Sequence, residues 1–96
     1  MRQYEVMFII SPKVEGDEAI DAVINRYQEV ITKGGGEIEK VDKWGKRRLA
    51  YELKGFTEGF YVVINFKSES AAAQELERLM KIADEVLRYL LVRVEE

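Results

Sequence analysis

The chain has 96 residues, 47% of them apolar and 34% charged, and 15 cations against 18 acids give a net charge of −3. That size supports one small core, and the composition suits a soluble globule. With no cysteine and no histidine, disulfides, thiolate metal sites, cysteine nucleophiles and the commonest general base are excluded.

Residues 2 to 10 alternate, with Tyr4, Val6, Phe8 and Ile10 on one side and Gln3, Glu5, Met7 and Ile9 on the other, which predicts a strand. Ser11-Pro12 ends it. Gly16-Asp17 opens a helix with Asp17 expected as its N-cap, and Glu18 and Asp21 suit the positive end of the dipole. Ile20, Val23, Ile24, Tyr27, Val30 and Ile31 recur at helical spacing, and Gly34-Gly35-Gly36 after Lys33 ends the helix.

An extended segment follows from about Glu37 to Lys54. Ile38 and Val41 have opposite parity, which calls for a bulge or bend, with another expected at Gly45. Gly55 to Gly59 is a connection of hairpin length. Phe60 to Lys67 is a third strand whose apolar face is Phe60, Val62, Ile64 and Phe66. Ser68 or Ser70 is expected to cap a second helix that runs to about Ile82 and buries Ala72, Leu76, Leu79 and Met80. A last strand runs from about Val86 to Val94. The order β-α-β-β-α-β predicts an α+β, ferredoxin-like sandwich over residues 1–96 as one domain. Two helices lie on one face of a four-stranded antiparallel sheet, with the first and third strands central. Val6, Phe8, Ile24, Val62, Ile64, Leu76 and Leu79 are expected to share its core.

The pattern offers little chemistry. Glu75 and Glu77, two apart on a helix, do not face each other. The glycine triplet follows a helix, the reverse of a phosphate-cradling loop. The serines have no histidine to activate them. No enzyme, cofactor, metal site or small-molecule substrate is expected. No apolar run is long enough to span a bilayer and Met1 to Glu5 carries no signal-peptide core, so the expected location is the cytoplasm, without membrane contact.

The charge pattern is more informative. Lys40 to Lys54 holds six cations against two acids, a balance of +4, whereas the rest of the chain holds nine against sixteen, or −7. Lys46, Arg47 and Arg48 are consecutive there, which suits an oriented anionic partner. The plainer role for such charges is to keep an edge strand from pairing. Lys54-Gly55-Phe56 and Gly59-Phe60-Tyr61-Val62 resemble the third-strand signature of an RNA-recognition motif, but Thr57-Glu58 interrupts the run and the first strand lacks the partner aromatic. By parity, Met7, Ile9, Tyr61, Val63, Leu90 and Val92 lie on the sheet face without helices, an apolar cluster that marks a protein contact.

Gly45-Lys-Arg-Arg-Leu-Ala-Tyr51, the opening Arg2-Gln3-Tyr4-Glu5 and the closing Asp84-Glu85-Val86-Leu87-Arg88-Tyr89 closely resemble the bacterial small-subunit ribosomal protein six family, over essentially the whole chain. The resemblance implies the ferredoxin-like fold and a structural role in the small ribosomal subunit. It further implies binding to the central domain of the small-subunit ribosomal RNA as a heterodimer with small-subunit ribosomal protein eighteen. On this resemblance Lys46, Arg47 and Arg48 match the family's basic element, Arg2 and Tyr4 its N-terminal signature and Arg88 its fourth-strand arginine. Lys54 and Arg93 complete the expected RNA-binding set. Met7, Ile9, Tyr61 and Val63, with Trp44, Leu49 and Tyr51 along the adjacent edge, are the expected protein-partner surface. Glu52 stands where many members have proline, and the chain ends at Glu96 without the longer tail of many members. A regulatory or small-ligand-sensing domain that dimerises through its sheet is the alternative on the same fold. It would need a ligand loop such as Ser11 to Gly16.

Overall fold

The computed structural model describes residues 1–94, and the expected domain limit at Glu96 lies outside them. The elements are β1 (Arg2–Ile10), α1 (Asp17–Lys33), β2 (Glu37–Leu53), β3 (Phe56–Ser68), α2 (Ser70–Ile82) and β4 (Val86–Arg93). The strands form one antiparallel sheet in the order β2-β3-β1-β4, so β1 and β3 are central and the ferredoxin-like arrangement is as expected.

The core lies between the sheet and the helices. Val6, Phe8 and Ile10 of β1 and Val62, Ile64 and Phe66 of β3 are fully buried against Ile24, Tyr27 and Ile31 of α1 and Leu76 and Met80 of α2. Phe8 meets the ring of Tyr27 edge-on at 5.5 Å. Burial, and then the charge of Glu85, push the Tyr27 phenol up to about 12. Leu79, expected in this core, is only partly buried at its margin, because Leu76 and Met80 hold the centre of the α2 stripe.

Neither helix has the expected cap. Gly16 is the cap of α1 and Asp17 the first helical residue, so its carboxylate serves the dipole and makes no capping hydrogen bond. Glu69 caps α2, and the Ser68 hydroxyl donates to the Glu69 carbonyl. The glycine triplet closes α1 as expected. Gly35 takes a φ of 85°, its N–H donates to the Thr32 carbonyl, and that of Gly36 donates to the Ile31 carbonyl, a Schellman closure. Gly34 and Gly36 are required by space, since a Cβ would lie 2.8 Å from the Ala72 Cβ and from the Lys67 carbonyl respectively.

Both expected irregularities of β2 are present. The register shifts between Ile38 and Lys40, which brings Ile38 and Val41 to the same side, and again between Lys43 and Gly45, where Gly45 takes a φ of 88°. The connection to β3 is tighter than expected. It is a two-residue turn at Lys54 and Gly55, both at positive φ, and β3 begins at Phe56.

Candidate nucleic-acid and partner interface

β1 ends opposite Phe60, whereas the β2–β3 ladder continues through Arg47 opposite Gly59 and Arg48 opposite Glu58. The two strands therefore project as an arm beyond the centre of the sheet. Side chains alternate along it, so Lys46, Arg47 and Arg48 do not share one face. Lys46 pairs with Phe60 on the helix side and forms an ion pair with Glu58 at 3.7 Å. Arg47 lies on the other side, with its guanidinium 5.2 Å from the centre of the Trp44 ring. The three cations are exposed and surround the arm, an arrangement suited to phosphates approaching from several directions.

The arm also bends. Between the Arg48–Glu58 and Leu53–Phe56 pairs, four residues of β2 stand against Thr57 alone. The surplus turns over the helix-free face, where Leu49, Ala50, Tyr51 and Leu53 border a small cavity of about 110 Å³ with Met7, Ile9, Tyr61 and Arg88. The Arg88 guanidinium donates to the Tyr51 hydroxyl and fastens the segment there. The Lys54 ammonium donates to the Val86 carbonyl at 3.0 Å and ties the turn to the start of β4.

This geometry corrects the expected surfaces. Ile9 is 3% exposed and Val63 6%, so neither belongs to an open face. The fold-back lies over Ile9, and Gly59 sits so close that a Cβ there would be 2.3 Å from it. Val63 occupies the middle of the sheet, with Met7 on one side and Asp42 on the other. Met7, Leu49 and Tyr61 are half-buried, while Trp44 and Tyr51 are exposed. The helix-free face stays open mainly along β4, at Leu90 and Val92.

The expected RNA-binding set is divided in the same way. The Tyr4 ring is stacked on Phe66 at 5.4 Å inside the core, so it is not available to a base. Arg2 sits opposite Ser68 and Arg93 opposite Tyr4, at the end of the sheet away from the arm. Nine strand residues separate the two ends, on the order of 25 Å. Lys46, Arg47 and Arg48 lie on the arm and Lys54 at its turn, while Arg88, on β4 opposite Ile9, reaches the arm's segment through Tyr51. The sequence alone does not reveal the Tyr51–Arg88 clasp or the aromatic stack of Trp44 on Tyr61, with rings 7° from parallel and centres 6.5 Å apart. The Trp44-Gly45 pair at an expected bulge is the one available signal, since a bulge re-aims its side chain.

Little in the molecule offers other chemistry. The Ser11–Gly16 loop borders a cavity of about 400 Å³ with Ile20, Lys46, Glu58 and Phe60. Among the described residues no buried side-chain nitrogen or oxygen lacks a partner, and no group of three or more acidic residues is placed to hold a metal. The Tyr89 phenol, like that of Tyr27, is shifted upward, by burial and then by Glu77, to whose carboxylate its hydroxyl donates. Among the described residues no helix is long and apolar enough to cross a membrane.

Comparison with known proteins agrees with this fold. The family model described as Ribosomal protein S6 matches residues 3–93. Small ribosomal subunit protein bS6 of Moorella thermoacetica is 51% identical, over 100% of this chain and 97% of that protein. Its counterpart in Heliobacterium modesticaldum is 52% identical, over 100% and 99%. The crystal structure of 30S ribosomal protein S6 from Thermotoga maritima is similar with a TM-score of 0.89 and 37% identity, over 97% of this chain and 87% of that one.

Proposed function

The chain belongs to the ribosomal protein S6 family of the small ribosomal subunit, and from that premise we propose that it binds the central domain of the small-subunit ribosomal RNA as a heterodimer with small-subunit ribosomal protein eighteen. The family is one of ribosomal structural proteins and not an enzyme class, and its place is the cytoplasmic ribosome. One observation carries the RNA reading: a balance of +4 is concentrated in residues 40–54 of a chain with a net charge of −3, and three of those cations, Lys46, Arg47 and Arg48, are exposed on the arm. Cations there displace counterions from phosphates, a term that is sensitive to salt and indifferent to sequence.

The remaining −7 opposes RNA binding by the chain alone, which favours joint binding with a second protein. That partner would cover the open apolar strip of Leu90 and Val92, with Met7 and the exposed Tyr51 at its margin. Specificity then comes from RNA shape and from the surface the two proteins make together. The test is binding of the small-subunit ribosomal RNA with and without the partner. Tight binding that requires the partner supports the reading, and equal binding without it contradicts the heterodimer.

A further inference from the structure

Trp44 is the only tryptophan in the chain and is 49% exposed. The register shift between Lys43 and Gly45 takes it out of the ladder. It is absent from the core cluster, yet its ring is held: it lies nearly parallel to the half-buried Tyr61 and under the Arg47 guanidinium. Tyr61 is itself fixed in the sheet opposite Ile9 and Gly45. A large flat side chain fixed in this way but left half in water offers a π-surface at little cost in conformational entropy.

The charge around it indicates what would lie there. A protein side chain stacked on Trp44 would meet a cation with no use for it, whereas a nucleobase brings a phosphate on either side. Trp44 and Arg47 both belong to the 40–54 segment, where cations exceed acids six to two. The Arg47 guanidinium lies 5.2 Å from the ring centre, and on turning aside it would reach the backbone of a nucleotide whose base stacks there.

We propose that Trp44, Tyr61 and Arg47 form a stacking platform for an unpaired nucleobase of the ribosomal RNA. This rests on the RNA-binding reading above and names a base contact within it, one that reads the π-face of the base and tolerates any sequence.

The test uses small-subunit ribosomal RNA with the partner protein present, and compares the unaltered chain with Trp44→Ala and Trp44→Phe. Trp44→Ala is expected to weaken RNA binding roughly ten- to a hundredfold, with Trp44→Phe retaining most of it. Thermal unfolding should be almost unchanged, since the ring is outside the core. The salt dependence of the weakened binding should keep its slope, because stacking releases no counterions. Ultraviolet cross-linking of the assembled complex should join Trp44 to RNA. Undiminished binding by Trp44→Ala overturns the platform, as does a cross-link to the partner protein, which would make this a protein contact. A lower salt slope for Trp44→Ala would also overturn it, since the loss would then be ionic. If the unaltered chain fails to bind the RNA even with its partner, the underlying reading fails as well.

Discussion

The two faces of the sheet are closed by different means. On one, two amphipathic helices supply Ile24, Tyr27, Leu76 and Met80 to meet Val6, Phe8, Val62 and Ile64. On the other there is no helix, and a segment of the chain's own β2, surplus to the ladder by several residues, turns back over Ile9 and leaves Leu90 and Val92 in water. The first face is where stability resides. The second holds the clasp, the aromatic stack and the open strip, and the arm beside it carries the cations. The difference shows how one small core can support a binding surface: the groups that meet partners are set outside the set that holds the fold.

Substitution can break the comparison where it is sharpest, within the helix-free face itself. Val63→Asp buries an unpaired charge and is expected to destabilise by on the order of 3–5 kcal/mol, whereas Leu90→Asp on the open strip should shift stability by less than about 0.5 kcal/mol. Chemical denaturation of both variants decides the matter, and equal effects would mean that the face is closed or open throughout. On the helix face, Leu76→Ala should cost about 2–5 kcal/mol and Leu79→Ala at the margin roughly 1–2 kcal/mol. The same denaturation curves rank them, and a larger loss at Leu79 would contradict the assignment of the core. The clasp predicts a smaller effect. Tyr51→Phe removes one exposed hydrogen bond from Arg88, so global stability should fall by no more than about 1 kcal/mol, while the amides of residues 49–53 exchange faster with solvent. Unaltered exchange there would show that the clasp does not hold the segment.

The sequence makes one face legible and half of the other. Parity in β1 and β3 and the helical stripes identify the core, because alternation and 3.6-residue spacing are local properties of the chain. Opposite parity at Ile38 and Val41 and the glycine at position 45 likewise mark the two bulges. What covers a face is not local. Four residues of β2 standing against Thr57 is a feature of pairing between strands, so the burial of Ile9 cannot be read from either strand alone. Tyr4 shows the reverse limit, since its resemblance to a family signature suggests an RNA contact, whereas its even parity with Val6 and Phe8 already places it in the core. For Lys46, Arg47 and Arg48, adjacency in sequence suggests one patch, and strand alternation puts them on opposite sides of the arm.

The central claim is that the arm binds RNA through its cations while the helix face holds the fold, and one variant tests both parts. Arg47→Ala combined with Arg48→Ala changes two exposed side chains, so thermal unfolding should be almost unaltered. The measurement is the salt dependence of affinity for the small-subunit ribosomal RNA with the partner protein present. The account predicts weaker binding and a log–log slope shallower by about one for each phosphate that the variant no longer neutralises. An unchanged slope in a normally folded variant would contradict it and leave these arginines as protection for an edge strand.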